Sequence, residues 1–277
     1  MKKILIPIDF SEHSEYALRT AAILAKKYKA SLVVLHMIGL SKAILSKNES
    51  EEQLEGMFYV KLAAKKFKEF LTRDYLKGLE VETTVQNFDN LYKINDVAQE
   101  FNADLIVMGS HGVSGLDEVF VGSNTEKVVR TVDIPVLVIK KNINEFNLKK
   151  VVFACDFDID FVEPFKRAVN FFKNLEIEFQ VVFINTPKKF LSSQEMEGRA
   201  LKFMLHSDLE NTRVFDKVVY YNDYSLEEGI YTYCNQVEAD MIAIPTHGRK
   251  GLAHFFSENY SDAFVNHSNF PIMTFKV

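Results

Sequence analysis

The chain spells out one pattern twice. ADLIVMGSHG at 103–112 returns as ADMIAIPTHG at 239–248, and IPVLVIK at 134–140 returns at the same offset as FPIMTFK at 270–276. KKILIPIDF at 2–10 likewise returns as KKVVFACDF at 149–157. A sequence of this kind must build one unit twice. The spacing predicts two copies, residues 1–142 and 148–277, of the ordinary size for a domain. No proline-rich or low-complexity linker lies between them, so the copies are expected to pack closely.

Within the first copy, apolar runs alternate with helical periodicity. Lys3–Ile8 and Ser31–Met37 read as buried strands, and Tyr16–Tyr28 reads as a helix between them, with apolar positions at 17, 18, 21, 22, 24 and 25. Residues 39–50 read as a loop. Glu51–Tyr75 reads as a long amphipathic helix, Leu79–Phe88 as a strand near an edge, and Ile94–Phe101 as a helix. Ala103–Met108 and Ile134–Lys140 read as further buried strands, with Asn124–Thr131 as a helix between them. Strands alternating with helices imply parallel βαβ units and an α/β, doubly wound sheet.

The segment between the last two strands, GSHGVSGLDEVFVGS at 109–123, holds four of the chain's 11 glycines. It leaves a strand and enters a helix. Backbone N–H groups at a helix start lack intrahelical partners, and the helix dipole adds positive potential. Glycine lets backbone approach a phosphate without a Cβ in the way. The stretch therefore predicts a cradle for the phosphates of a nucleotide.

Composition narrows the class. Hydrophobic residues make up 47% and charged residues 26%, a globular mixture. Net charge is −5, with the acidic excess in residues 145–277, so the molecule as a whole is not a nucleic-acid-binding surface. Cys155 and Cys234 are too few for a disulfide framework and form no CxxC pair, which suits buried thiols in a reducing compartment. The apolar run after Lys3 is too short for a signal-peptide core, and no stretch approaches a membrane span. A cytoplasmic protein with no membrane partner is the expectation.

Gly109-x-x-Gly112, nine residues, then Gly122-Ser123 resembles the G-2x-G-9x-G-(S/T) signature of the universal stress protein family. Asp9 at the end of the first strand, ADLIVMGSHG and the closing PVLVIK strand agree with it. The resemblance covers nearly the whole chain as a tandem pair. It implies in each copy a five-stranded parallel sheet of order 3-2-1-4-5 with helices on both faces. It also implies ATP as the ligand of copies carrying the full signature, with Mg²⁺ bridging the phosphates.

Residue by residue, the resemblance implies that Asp9 meets the base or ribose side while Pro7 and Ile8 bring backbone nearby. His36 or Met37 borders the adenine. Gly109 and Gly112 allow close approach to ribose and phosphates, and Gly122, Ser123 and Asn124 offer N–H groups and a hydroxyl to the phosphates. His111 stands in the same loop. Its counterpart His247 lies in the copy that departs from the signature, which points away from catalysis. Family members commonly pair through the fifth strand, so Pro135–Lys140 and Pro271–Val277 are the expected partners in an internal pseudo-dimer. A further homodimer stays open.

The second copy keeps Asp156 and Gly248. Pro245 replaces Gly109, Glu258 replaces Gly122, and Asn259 replaces Ser123. Proline has no N–H to donate, and a carboxylate repels phosphate. One nucleotide site, in the first copy, is the expectation.

Other clusters read as structure. His13 with Glu12 and Glu15 marks a helix start. The run DFDID at 156–160 resembles the opening of a calcium loop but lacks the glycine and glutamate that complete one. The chain has no P-loop, no GxGxxG turn and no GxSxG elbow. The loop after the first strand matches neither the His-x-Gly-His nor the Ser-Gly-Gly pattern of nucleotidyl transferases. A dedicated adenylating enzyme is thereby disfavoured. Slow ATP hydrolysis, AMP or cyclic AMP binding, and a ligand-free interaction protein remain as alternatives.

Overall fold

The computed structural model describes residues 1–38, 49–87, 93–110, 123–208, 218–246 and 270–277. In the first copy the described elements are β1 (Lys3–Ile8), α1 (Glu12–Tyr28), β2 (Ser31–Ile38), α2 (Glu49–Phe70), β3 (Val81–Asn87), α3 (Lys93–Glu100), β4 (Leu105–Gly109), α4 (Ser123–Thr131) and β5 (Val136–Ile139). The second has β6 (Val151–Ala154), α5 (Val162–Asn174), β7 (Phe179–Asn185), α6 (Ser193–Ser207), β8 (Val218–Asn222), α7 (Leu226–Gln236), β9 (Met241–Thr246) and β10 (Ile272–Lys276).

The strands form one ten-stranded sheet in the order β3-β2-β1-β4-β5-β10-β9-β6-β7-β8. Each half has the order 3-2-1-4-5, with every pairing inside a half parallel. Where the halves meet, β10 runs antiparallel to β5, with Ile272 opposite Val138, Met273 opposite Leu137 and Thr274 opposite Val136. The central strands are buried on both faces, which is why they read as unbroken apolar runs: Ile4–Ile6, Leu32–Leu35, Leu105–Met108 and Val136–Ile139 are all buried. Edge strand β3 exposes Glu82 and Thr83, neighbours that face opposite sides of the sheet, so it lacks the two-sided cover of the central strands.

Two apolar layers flank the sheet. One packs α1, α2, α5 and α6 through residues such as Leu18, Phe67, Phe165 and Phe203. The other packs α3, α4 and α7 through Val97, Val128 and Tyr233. α1 is a closely applied helix because its inward residues are small: Ala17, Ala21, Ala22 and Ala25 are all buried. Ser11 caps it by accepting from the Ser14 N–H at 3.2 Å, and Glu12 and Glu15 suit the positive end of its dipole.

The repeated Ala-Asp pair has a physical role in both copies. Asp104 accepts hydrogen bonds from the Lys2 and Lys3 N–H groups, the second at 3.0 Å. Asp240 accepts from Lys149 and Lys150, each at 2.9 Å. Each aspartate thus ties the strand that follows it to the start of its copy's first strand.

The long helix ends earlier than its periodicity suggests. α2 stops at Phe70, and a short 3-10 turn follows at Asp74–Leu76. Arg73 between them is extended and turns its guanidinium to the Glu15 carboxylate on α1, at 3.0 and 3.1 Å. This tertiary ion pair interrupts a run that is helical by spacing alone. At its other end α2 begins two residues before Glu51.

The junction between halves is polar at its rim. Lys276 Nζ reaches the Asp133 carboxylate at 3.0 Å and the Thr131 carbonyl at 3.1 Å. Arg167 donates to the Lys276 carbonyl and to the Asp133 carbonyl.

Candidate functional site

Strand order reverses between β1 and β4, and in sheets of this kind ligands bind at that crevice, beyond the carboxyl ends of the strands. Several of the residues singled out in the sequence converge there. Pro7 and Ile8 close β1, with Asp9 just beyond. Met37 lies near the end of β2, Gly109 ends β4, and Ser123 and Asn124 open α4. Asn124 is exposed. His111, Gly112 and Gly122 lie outside the described residues, as do Gly248, Glu258 and Asn259 of the second copy.

The loop after β1 is built around the Asp9 carboxylate. Its Oδ1 accepts from the Ser11 N–H at 3.0 Å and from the Ser14 hydroxyl at 2.5 Å, and Ser14 Oγ accepts from the Asp9 N–H at 3.0 Å. Phe10 takes a left-handed backbone, φ 65°, which is unusual for a bulky residue. The same conformation recurs at Phe157, φ 56°, after Asp156. The turn is therefore a device of both copies and not a peculiarity of one.

Phe10 lies over His36, ring centroids 4.5 Å apart, with Phe67 of α2 5.4 Å from Phe10. His36 Nδ1 donates to the Ile8 carbonyl at 2.9 Å, which leaves Nε2 as the acceptor of the neutral ring. Burial pushes the His36 pKa down, against the opposing effect of that hydrogen bond. The second copy repeats the cluster with phenylalanines: Phe157 stacks on Phe183 and meets Phe203 edge-on. The sequence reading named His36 but missed its partners. The repeated Asp-Phe pair was the signal that would have found Phe10.

At the end of β4 the missing Cβ of Gly109 is put to use inside the protein. A Cβ there would come within 2.7 Å of the His13 carbonyl oxygen on α1. Gly109 thus lets the first turn of α1 pack against the strand end. Its carbonyl accepts from the buried Thr125 hydroxyl at 2.8 Å, which fixes the start of α4 relative to β4. Thr125 was not singled out in the sequence, because its role depends on a contact across the loop.

The residues present suit an anionic group. α4 opens beside the end of β4, and the dipole of a helix N-terminus favours an anion such as phosphate. Glu126, the acid in the first turn of α4, pairs along the helix with Arg130 at 3.7 Å. In a nucleotide–Mg²⁺ complex the phosphates and water can supply most of the metal's oxygen ligands, so the protein need not provide a carboxylate cage.

A cleft of about 540 Å³ opens elsewhere, between the end of α1 and the start of β6, lined by Tyr28, Leu148, Lys149 and Glu178 among others. It sits where β6 begins, at an amino-terminal strand end, so the switch-point argument does not extend to it.

With this geometry in hand, comparison with known proteins is decisive. The universal stress protein family model matches twice, over residues 1–140 and 147–276. The chain belongs to the universal stress protein family. YxiE, a universal stress protein of Bacillus subtilis, is 31% identical over 152 residues, covering 50% of this chain and 98% of YxiE. A universal stress protein of Methanocaldococcus jannaschii is 31% identical over 154 residues, again 50% of this chain and 95% of its own length. A solved universal stress protein of Archaeoglobus fulgidus aligns with a TM-score of 0.60 at 18% identity, covering 99% of this chain and 96% of that one. The two relatives span one copy's length, and the solved structure shares the fold of the whole chain. This is a tandem member of the family.

The internal comparison is informative within that family. The strand end occupied by Gly109 in the first copy is occupied by Pro245 in β9 of the second, opposite Phe275 of β10. Asp156 keeps the turn, accepting from the Asp158 N–H at 3.1 Å, and Arg199 of α6 lies 3.8 Å from its carboxylate.

Proposed function

We propose that this tandem universal stress protein is a nucleotide-responsive regulatory protein with one working site, in its first copy. The ligand is ATP, with Mg²⁺ bridging its phosphates. Pro7, Ile8, Asp9 and Met37 border the adenosine. Gly109, His111, Gly112, Gly122, Ser123 and Asn124 form the phosphate side. The observation that carries this reading is the convergence of Asp9, Met37, Gly109 and the start of α4 at one switch point, beside a glycine loop with the family's spacing.

The two units, 1–142 and 148–277, act in this reading as an internal pseudo-dimer joined by β5 and β10, working in the cytoplasm. The second unit departs from the signature and serves as a fixed structural partner. Ligand stabilises the first unit and orders the assembly. At 100 times its Kd, a ligand adds about 2.7 kcal/mol of stability.

The test is mass spectrometry of small molecules that co-purify with the protein, followed by calorimetric titration with ATP, AMP and cyclic AMP. Tight ATP binding, lost at least about tenfold in Gly122→Glu, is the expected result. Preference for AMP or cyclic AMP would reassign the nucleotide. Phosphate release abolished by the same substitution would make the protein an ATPase. Melting unchanged by every nucleotide would overturn the ligand reading, and nucleotide bound at 248–259 would overturn the single-site reading.

A further inference from the structure

Ser14 sits in the first turn of α1 and is 5% exposed. A hydroxyl has one proton to give and two lone pairs, and here all three are used within the loop after β1. Ser14 Oγ donates to Asp9 Oδ1 at 2.5 Å, accepts from the Asp9 N–H at 3.0 Å and accepts from the Ser11 hydroxyl at 3.3 Å. One oxygen atom thus holds both the backbone nitrogen and the carboxylate of the same residue. That closes a small ring through the Cα–Cβ bond of Asp9 and fixes the torsion about it. Without the hydroxyl, the Ser11 N–H at 3.0 Å is what remains of this set, and the staggered positions of the carboxylate compete.

The second copy shows the same loop without that hydroxyl. The match of Lys2–Phe10 with Lys149–Phe157 sets Phe161 at the place of Ser14. Asp156 keeps the turn contact, accepting from the Asp158 N–H at 3.1 Å. Its carboxylate meets a cation of its own chain instead: Arg199 of α6 lies 3.8 Å from Asp156 and 3.5 Å from Asp158. The two copies therefore differ in how they hold the repeated aspartate, and not only at Pro245, Glu258 and Asn259.

We infer that Ser14 is a positioning residue of the first-copy site, which sets the Asp9 carboxylate in a single rotamer before ligand arrives. The inference rests on the proposed reading of that site as a nucleotide site and adds the residue that pre-organises it. Ser14 is buried and its hydrogen-bonding capacity is filled by Asp9 and Ser11, so it acts through Asp9 and not by touching ligand. Ordering a side chain on binding weakens affinity, and a side chain ordered in advance avoids that loss.

The experiment is calorimetric titration of the full chain with ATP, for the wild type, Ser14→Ala, Asp9→Ala and the double variant, with urea unfolding to confirm that each is folded. Ser14→Ala is expected to weaken binding about three- to tenfold. In the Asp9→Ala background the same change is expected to alter affinity by less than about twofold, because no carboxylate is left to position. NMR of the isotope-labelled, ligand-free chain reads the rotamer itself. The three-bond couplings between the Asp9 backbone and its Cγ are expected to report one rotamer in the wild type and an average in Ser14→Ala. A wild type that binds no nucleotide overturns the proposed function and this inference together. A wild type that binds ATP, with Ser14→Ala binding it equally well, overturns this inference alone. So does a loss of the same size in both backgrounds, which would make Ser14 a support of the loop and not of Asp9. A single Asp9 rotamer retained in Ser14→Ala overturns it as well.

Discussion

At the scale of single residues, two side-chain roles are set by neighbours far away in sequence. Gly109 has the family spacing of a ligand-binding glycine, yet its missing Cβ also admits the His13 backbone. Gly109→Ala is therefore expected to cost about 1–3 kcal/mol of stability, read by thermal or urea unfolding without any ligand present. An unchanged midpoint would show that α1 shifts freely. His36 is the second case. Its folded pKa lies below its unfolded value because the ring is buried. The unfolded chain therefore binds the proton first. Stability is unaffected well above pH 6.5 and falls as pH drops through the unfolded value towards the folded one. His36→Phe, which copies Phe183 of the second half, is expected to flatten that limb in urea unfolding between pH 5 and 7. It also leaves the Ile8 carbonyl without its donor, a loss of about 1 kcal/mol at neutral pH. An unaltered slope would assign the acid limb to other groups.

At the scale of elements, most of the fold was legible. Apolar runs predicted the buried strands because strands covered on both faces cannot alternate. The ends of α2 were misjudged, since the pull of Arg73 on Glu15 lies outside any local pattern. The same pair holds the Glu15 carboxyl below the ordinary carboxylate range. The start of α4 was placed within one residue, but its anchor was not found, because Thr125 and Gly109 meet only once the loop has closed. Thr125→Val keeps the shape and removes the hydroxyl. Leaving the buried Gly109 carbonyl unpaired is expected to cost about 1–3 kcal/mol. If α4 holds the phosphates, nucleotide affinity falls with it, and a titration alongside the melt checks both. Affinity unchanged in a destabilised variant would separate α4 from the site.

For the whole molecule, β5 and β10 make one sheet of two, and the Asp133–Lys276 contact guards the rim of that joint. The Lys276 ammonium holds the Asp133 carboxyl below its usual pKa. Its contribution is thus present above the unfolded carboxylate pKa and lost as pH falls through the lower folded value. Both groups are partly exposed, so the effect is modest. Chains 1–142 and 148–277 made separately and mixed are expected to co-elute at neutral pH, and Leu137→Asp in the first should abolish the complex. Persistence of the complex in that variant would show that the halves meet elsewhere. The repeat, the glycine spacing and the strand periodicity determined by themselves that this chain builds one α/β unit twice, because those signals depend only on neighbours along the chain. The family resemblance had named the two strands of the seam, but its antiparallel direction and register, the use of Gly109 by His13, and the Phe10–His36–Phe67 cluster were decided only by tertiary structure. Each joins residues brought together when the strands are laid side by side, and no local pattern encodes which distant backbone will fill the space a glycine leaves.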